Sequence, residues 1–350
     1  MSTAKRILLV RPDRIGDVVL ATPLIRAIRD TLPNSYLGVM VRPYARDVLL
    51  GNPRLNTILL DDPTGDDAGA SGFLRQVATL RKHRFDTALL LLPTRRHTWM
   101  AFLAGIPTRI GVGWRPYHAL TFMRTVSRDK YRDLRHEADY CMDLGRRIGV
   151  YSTNLTTEVF LTDEERSDGR RRLEAANAGP LDGHILVGIH AGSGGSAPNW
   201  RPDRYAKLAR QLIDRFGVTV VLTGAPVETG LAAHFAGLGE SVIDMIGLPT
   251  LRDTAAVISQ LSVLVSSSTG PMHIAAGLGV STLSMFCRLP ARRPELWGPL
   301  GNRSEVIMPP EGVCPGRCPG GAEHCEFREG VDVDVVVDRI ASLLENPVSG

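Results

Sequence analysis

The most constraining feature of this sequence is the alternation of short, continuously apolar segments with amphipathic ones. RILLV at residues 6–10 and DTALLLL at 86–92 carry apolar residues at consecutive positions, which is typical of parallel strands buried on both faces. Residues 16–29 and 136–148 instead place their apolar side chains at helical spacing. This succession predicts an α/β fold with parallel sheets.

The alternation runs through two consecutive blocks. It restarts with HILVGIH at 184–190, after a turn-rich stretch at 173–183. The length of 350 residues also favours two domains. We therefore predict two Rossmann-like, doubly wound domains over residues 1–175 and 176–350. We expect the cleft between them to hold the ligand, and the last helix is a candidate to pack back on the N-terminal domain.

The amino-acid composition constrains the cellular location of the protein. Hydrophobic residues make up 43% of the sequence, enough for full-sized cores. No apolar run approaches the roughly 18 residues that a membrane-spanning helix requires. The N-terminal segment MSTAKRILLV is too short in apolar residues for a secretory signal. The expectation is a soluble, cytoplasmic protein.

The net charge of +4 hides an asymmetry. Residues 1–170 contain 26 Lys and Arg against 19 Asp and Glu, whereas the remainder contains 15 against 18. A basic half is compatible with nucleic acid, an anionic membrane or a phosphorylated substrate, and equally with an arginine-rich solvated surface. Nucleic acid is disfavoured because the chain has no recognised module and no basic stripe interleaved with aromatic residues.

The first predicted strand is followed by the loop RPDRIGD at 11–17. It contains a single glycine, which argues against the G-x-G-x-x-G loop of dinucleotide-binding proteins. Asp17 falls at the start of the next helix. It is either a helix cap or a general base at the carboxyl end of the strand.

Three loops of the second block also follow predicted strands. Residues 190–196, HAGSGGS, are rich in glycine and serine, whose backbone N–H groups can approach a phosphate. Glu228 ends the loop at 223–228 and is a candidate acceptor of hydrogen bonds from ribose. Residues 266–273, SSSTGPMH, lead into a helix N-terminus that suits an anion. Each loop alone is compatible with an ordinary turn, but together they predict a nucleotide diphosphate site without a P-loop.

Four segments resemble one known family, the glycosyltransferases of family 9, typified by the bacterial lipopolysaccharide heptosyltransferases. They are ILLVRPDRIGDVVLATPLIRAIRDTLP at 7–33, IHAGSGGSAPNWRPDRYAKLARQL at 189–212, VVLTGAPVE at 220–228 and SSSTGPMHIAAGLGVSTLSMF at 266–286. The likeness spans nearly the whole chain.

The resemblance implies a GT-B fold, with an N-terminal acceptor domain and a C-terminal domain that binds a nucleotide sugar. It further implies an inverting enzyme that needs neither metal nor cofactor. Such an enzyme would transfer heptose from ADP-heptose to a lipopolysaccharide core at the cytoplasmic face of the inner membrane. Asp17 matches the proposed base, and Asp13 matches a position near the sugar. The donor-binding positions are Ser193, Gly194, Glu228, Ser268, Thr269, Gly270 and His273.

Two positions depart from the family pattern. Pro198 stands where the family usually has a lysine for the diphosphate, and Ser268 stands where it often has an aspartate. The departures point to a different donor sugar, to a compensating arginine such as Arg201 or Arg14, or to weakened catalysis. The alternatives are a transferase for capsule, exopolysaccharide or secondary-metabolite glycosylation, and a degenerate GT-B protein that only binds a nucleotide sugar.

The basic residues of the first half acquire a candidate role from the same resemblance. A lipopolysaccharide acceptor carries carboxylates and phosphates beside an anionic membrane, and arginine binds both groups in a bidentate manner. The predicted acceptor-binding residues are Asp13, Arg14, Arg42, Arg95 and Arg115.

The cysteines cluster near the C-terminus. Cys314, Cys318 and Cys325, with His324, supply four potential zinc ligands. The adjacent His324 and Cys325 are poor geometry for one tetrahedral site. Free thiols or a labile disulfide are therefore favoured, and no metal is assigned.

Overall fold

The computed structural model describes residues 5–129, 134–177, 179–313, 325–327 and 330–345. The chain divides into two compact units, residues 1–157 and 158–350. The boundary lies before the predicted one at 175/176 because helix α7 (Asp163–Ala176) packs on the second unit. Within that unit Arg252 forms an ion pair with Glu165 of α7. With this boundary the charge asymmetry grows to +10 and −6, from 24 Lys and Arg against 14 Asp and Glu in the first unit and 17 against 23 in the second.

The described part of the first unit contains a six-stranded parallel sheet with the strand order β3-β2-β1-β4-β5-β6. Its strands are β1 (Arg6–Val10), β2 (Tyr36–Val41), β3 (Thr57–Leu60), β4 (Thr87–Leu90), β5 (Thr108–Val112) and β6 (Arg124–Val126). Its helices are α1 (Ile15–Val19), α2 (Thr22–Thr31), α3 (Gly69–His83), α4 (Arg95–Leu103), α5 (Pro116–Leu120) and α6 (Glu137–Arg146).

The core of this unit follows from the apolar runs of the sequence. In β1 and β4 successive residues are buried, so both faces of the sheet are covered by helices or loops. Leu8 lies in register between Gly38 of β2 and Ala88 of β4. The expected single helix over residues 16–29 is wrong, because α1 ends at Val19 and α2 begins at Thr22, with Pro23 in its first turn.

The second unit repeats the same topology. Among its described residues the strands form a six-stranded parallel sheet with the order β12-β11-β10-β7-β8-β9. Its strands are β7 (Leu186–His190), β8 (Thr219–Gly224), β9 (Val242–Ile246), β10 (Val263–Ser267), β11 (Ser281–Met285) and β12 (Ser304–Ile307). Besides α7, its helices are α8 (Pro202–Phe216), α9 (Leu251–Ile258), α10 (Gly270–Gly277), α11 (Pro294–Trp297) and α12 (Val333–Glu345).

Both sheets therefore have the strand order of a doubly wound fold, as predicted from the two blocks. In each sheet the order reverses between two central strands, β1 and β4 in the first unit and β7 and β10 in the second. Ligands of such sheets bind at the carboxyl ends of the strands beside this switch point. The loops after β1, β7 and β10 are the segments that the sequence analysis selected.

The last helix, α12, belongs to the second unit. Its apolar face, with Val336, Val337 and Ile340, is buried against α8 and the strands β10, β11 and β12. Gln211 of α8 donates a 2.7 Å hydrogen bond to Asp334 of α12. The described contacts of α12 are thus with α8 and the sheet of its own unit.

The described residues also contain 3₁₀ segments at Pro43–Leu49, Pro226–Ser241 and Pro290–Arg292. Strands β6 and β12 and helix α5 were not predicted. None of the helices in the described ranges is long and apolar enough to cross a membrane.

Candidate active site

The loop after β1 is organised by one buried arginine. Arg11 is 1% exposed, and its guanidinium contacts three carboxylates. Nη2 donates hydrogen bonds of 2.7 Å to Oδ1 of Asp17 and 2.9 Å to Oε1 of Glu137. Nε lies 3.0 Å from Oδ1 of Asp13, without the alignment of a hydrogen bond. Arg11 thereby fixes both acidic side chains of the loop.

The two loop carboxylates differ from Glu137 in their access to solvent. The side chains of Asp13 and Asp17 are 19% and 17% exposed, whereas that of Glu137 is fully buried. Burial, opposed by the positive charge of Arg11 and reinforced by the negative charge of Asp17, raises the pKa of Asp13 to about 6. Asp13 therefore titrates close to neutral pH.

A second arginine, only partly exposed, reaches the same cluster. Arg128, which follows β6, forms an ion pair with Oε2 of Glu137, and its guanidinium carbon lies 5.5 Å from the ring centre of Tyr140. Glu137 is thus held between Arg11 and Arg128. Neither Glu137 nor Arg128 was predicted as a site residue, although Glu137 lies in the predicted helix over residues 136–148.

Tyr44 connects the 3₁₀ segment after β2 to this loop. Its hydroxyl donates a 2.8 Å hydrogen bond to the backbone oxygen of Asp13. Burial raises the pKa of Tyr44, and the charges of Arg42, Asp13, Asp17 and Arg14 all act on it. The structure therefore brings together Asp13, Arg14, Asp17 and Arg42, which the sequence analysis had predicted as site residues.

The other two predicted acceptor arginines do not join this cluster. Arg95 lies at the start of α4 and Arg115 precedes α5. Both are exposed, and within the described ranges neither guanidinium makes a hydrogen bond or an ion pair. The neighbouring Arg96 instead binds the buried Asp61, through Nη2 to Oδ1 at 2.7 Å and Nε to Oδ2 at 2.9 Å.

In the second unit, the loop after β7 is a tight turn. Gly194 and Gly195 have φ values of 51° and 67°, in the left-handed region that glycine adopts readily. The backbone oxygen of Ser193 accepts hydrogen bonds from the amide and the hydroxyl of Ser196, at 2.9 and 2.7 Å. Gly194 and Gly195 carry no side chain over the turn and are exposed, which leaves their backbone open to a ligand.

A cation reaches this turn from a distant part of the chain. Nη1 of Arg292 donates a 3.2 Å hydrogen bond to the backbone oxygen of Ser196. Pro198, which follows Ser196 closely in the sequence, is buried. Arg201, in contrast, is largely exposed and forms an ion pair with Asp203. The sequence analysis considered Arg201 and Arg14 as compensating cations and missed Arg292.

Glu228 lies against the same loop. A Cβ atom on Gly192 would lie 2.0 Å from Oε1 of Glu228, so glycine is required for this close approach. Oε2 of Glu228 accepts a 2.8 Å hydrogen bond from the amide of Ala225. Burial lowers the pKa of His190, which the charge of Glu228 opposes. The strand-end loops of β7 and β8 are therefore in contact.

A cavity of about 330 Å³ opens beside Glu228. Its lining residues come from the loops after β7 and β8 and from the start of α8: Ala191, Gly192, Asn199, Trp200, Pro202, Val227, Glu228, Gly230 and Leu231. The indole Nε1 of Trp200 is buried and makes no hydrogen bond within the described part of the chain. The cavity therefore combines an acidic acceptor with apolar walls.

The loop after β10 leads into α10. Thr269 precedes the first residue of α10 and makes no capping hydrogen bond with its side chain, so the first N–H groups of the helix remain available to an anion. The hydroxyls of Ser266 and Ser267 are buried without partners among the described residues. Ser268 and Gly270 are partly exposed and His273 is buried. The four predicted donor-site residues of this segment thus lie between the carboxyl end of β10 and the first turn of α10. They are Ser268, Thr269, Gly270 and His273.

No group of three or more metal-ligating side chains occurs in the described ranges. The candidate zinc ligands Cys314, Cys318 and His324 lie outside the described residues. The Cys325 thiol forms no disulfide in the structure.

Comparison with known proteins relates this geometry to function. The profile of Glycosyltransferase family 9 (heptosyltransferase) matches residues 73–316. Lipopolysaccharide heptosyltransferase 2 of Escherichia coli K12 is 26% identical over 312 residues, covering 86% of this chain and 87% of that protein.

Solved structures show the same fold. A family 9 glycosyl transferase from Veillonella parvula superposes with a TM-score of 0.83 at 22% identity and covers 98% of each chain. The E. coli ADP-heptose lipopolysaccharide heptosyltransferase II superposes with a TM-score of 0.76 at 22% identity, covering 97% of this chain and 98% of the other. The predicted GT-B fold is confirmed.

Proposed function

Because this chain belongs to glycosyltransferase family 9, it is a glycosyltransferase, and we propose that it transfers heptose from ADP-heptose to a lipopolysaccharide core acceptor. The observation that carries the proposal is the Asp17 carboxylate, which Arg11 holds through Oδ1 while its side chain remains partly open to solvent. Oδ2 of Asp17 accepts no hydrogen bond from any described residue. It is the atom that would receive a proton.

In the proposed reaction a hydroxyl oxygen of the acceptor attacks the anomeric carbon of the donor sugar. The new C–O bond forms as the bond from that carbon to the phosphate oxygen breaks, which inverts the configuration. Asp17 takes the proton of the acceptor hydroxyl, and ADP leaves as the anion. A positioned general base typically contributes about 10²- to 10⁴-fold to such a step.

The leaving diphosphate requires positive charge and hydrogen-bond donors. We assign this role to the backbone of Ser193 and Gly194, to the start of α10 at Thr269 and Gly270, and to Arg292. Arg292 donates a hydrogen bond to the same loop, at the backbone oxygen of Ser196. Its cation would take the place of the lysine that Pro198 replaces, so the proposal requires no metal ion.

The nucleoside would lie at the cavity beside Glu228. The carboxylate of Glu228 can accept hydrogen bonds from the ribose hydroxyls, and the apolar walls suit a base. Ser268 and His273 complete the donor side of the proposal, near the phosphates and the sugar. The name of the similar E. coli structure, an ADP-heptose transferase, favours adenine and heptose.

The acceptor would bind the first unit, where net positive charge is concentrated. The charges of Arg14 and Arg42 act on Tyr44 together with those of Asp13 and Asp17, and both arginines suit the carboxylates or phosphates of a lipopolysaccharide core. We place Arg95 and Arg115 in the same role at greater distance, because their guanidinium groups have no partner among the described residues.

We also propose that the first unit touches an anionic membrane surface while the acceptor is bound. Trp114, Leu120 and Phe122 are 64%, 65% and 76% exposed around the short helix α5. Arg115 and Arg124 are exposed in the same segment. Apolar and aromatic side chains beside arginines are the composition of interfacial binding sites.

The deciding experiment measures heptose transfer from ADP-heptose to a heptose-deficient lipopolysaccharide acceptor. The wild-type chain should transfer, and Asp17→Asn should lower kcat about 10²- to 10⁴-fold. Asp30→Asn, an exposed carboxylate at the end of α2, is the matched control and should keep the wild-type rate. Unchanged turnover in Asp17→Asn would show that Asp17 is not the base.

Donor identity is tested separately with a thermal-shift panel of ADP-, UDP- and GDP-sugars, because a ligand of the folded state raises its stability. ADP-heptose should give the largest shift. A larger shift with another nucleotide sugar would replace heptose in the proposal, as the departures at Pro198 and Ser268 allow. Binding without transfer to any acceptor would indicate a protein that only binds nucleotide sugars.

A further inference from the structure

One nitrogen atom joins the candidate base to a residue far away in sequence. Nη2 of Arg11 carries two hydrogens, and the structure uses one for Oδ1 of Asp17 and the other for Oε1 of Glu137. The guanidinium is planar, so the direction of one N–H group fixes the direction of the other. The position of Glu137 therefore sets where Arg11 holds Asp17.

We propose that Glu137 is a positioning residue for the transfer reaction, which acts through Arg11 to orient Asp17 and shares the positive charge of that guanidinium. The inference rests on the proposed function, in which Asp17 is the base. Glu137 contacts no substrate, because its side chain is fully buried.

The electrostatic part of this role follows from the number of charged side chains around Arg11. Arg11 alone, facing Asp13 and Asp17, would attract both carboxylates with its full positive charge. Glu137 shares the positive charge of Arg11, which weakens this effect. Arg128 in turn pairs with Glu137, so the buried carboxylate does not remain uncompensated.

Because Arg11 is buried, its positive charge does not serve to keep the protein surface soluble and must have another role. An arginine with a 2% exposed side chain between three carboxylates is costly to place unless all its partners are held in good geometry. The groups that face Asp13 and Asp17 come from every element around the loop: Arg11, Arg14, Arg42, Tyr44, Arg128 and Cys141. Among the described residues, α6 contributes a further carboxylate to Arg11, that of Glu137.

The test is Glu137→Gln, which keeps the shape of the side chain and removes its charge. The cluster then becomes one unit more positive, so the carboxylates ionise at lower pH. We expect kcat to fall about 10- to 100-fold, the effect of losing one charge-assisted hydrogen bond. The acid limb of the kcat–pH profile should move to lower pH by roughly half to one unit. The KM for the nucleotide sugar should not change.

The matched control is Asp143→Asn on the same helix, which removes a carboxylate paired with Arg135 and Arg146 outside the cluster. It should leave both kcat and the acid limb in place. If Glu137→Gln fails to fold, Glu137→Asp decides, since it retains the charge and withdraws the carboxylate by one methylene. That variant should fold, lose part of kcat and keep the wild-type acid limb.

A wild-type kcat and an unmoved acid limb in the folded Glu137→Gln protein would overturn the inference. If Glu137→Gln does not fold, a wild-type kcat in Glu137→Asp would overturn the inference as well. The proposed function fails differently, through full activity of Asp17→Asn or absence of transfer by the wild-type chain. Either failure is visible before the Glu137 variants are measured.

Discussion

Nη2 of Arg11 lies 2.9 Å from Oε1 of Glu137, although 126 residues separate them in the sequence. This contact joins the end of β1 to the start of α6, beneath the loop that carries Asp13 and Asp17. It means that the candidate base is supported by a buried ion pair and does not depend on its own short helix for orientation.

Asp13 makes the stability of the protein depend on pH. Its pKa is raised from 3.8 to about 6 in the folded state, so its ionised form opposes folding at neutral pH. This cost is full above pH 6 and disappears as the pH falls towards 4. Asp13→Asn should therefore raise the free energy of unfolding by about 2–3 kcal/mol at pH 8, and by much less at pH 4.

Urea unfolding of the wild type and Asp13→Asn at both pH values checks this prediction. The difference between the two proteins is the relevant quantity, because other titrating groups contribute equally to both. An equal or smaller gain at pH 8 than at pH 4 would contradict the raised pKa of Asp13.

Gly192 should be essential for donor binding. Alanine at this position would place Cβ 2.0 Å from the Glu228 carboxylate and force that side chain away. We expect Gly192→Ala to weaken ADP binding at least tenfold, about 1.4 kcal/mol, as measured by titration calorimetry. The control is Gly237→Ala, whose Cβ would have its nearest contact at 3.7 Å. Equal ADP affinity in both variants would remove Glu228 from the donor site.

Arg292 and Arg201 are alternative cations for the diphosphate. Arg292 is bonded to the loop after β7, whereas Arg201 is 60% exposed and paired with Asp203. Arg292→Gln should lower kcat/KM for the nucleotide sugar by roughly 10- to 100-fold, in line with the loss of one charge-assisted hydrogen bond. Arg201→Gln should change it less than threefold. A larger loss of kcat/KM in Arg201→Gln than in Arg292→Gln would show that Arg201 is the cation for the diphosphate.

The exposed apolar residues around α5 should mediate binding to anionic lipid. Trp114→Ser combined with Phe122→Ser removes two of the most exposed apolar side chains of the segment. We expect co-sedimentation with phosphatidylglycerol vesicles to fall severalfold, and the wild type to bind neutral phosphatidylcholine vesicles weakly. Leu74→Ser, another exposed apolar position, is the control. Undiminished vesicle binding in the double variant would place the contact elsewhere.

The sequence was most informative where the evidence is local. Apolar runs predicted the strands β1, β4 and β7, because each pattern lies within a few consecutive residues. The loops that follow β1, β7, β8 and β10 were also found in this way, and with them Asp17, Glu228 and Thr269. Strands β6 and β12 escaped because each is only three or four residues long and carries few apolar residues.

Only the tertiary structure decided which distant residues complete these loops. Arg292 lies 96 residues from Ser196, and Glu137 lies 126 residues from Arg11, from which it accepts a hydrogen bond. It also assigned α7 and α12 to the second unit, through packing on α9 and α8. The reason is physical: a parallel sheet joins strands that are far apart in the chain. The contacts that its packing creates between loops leave no pattern in neighbouring residues.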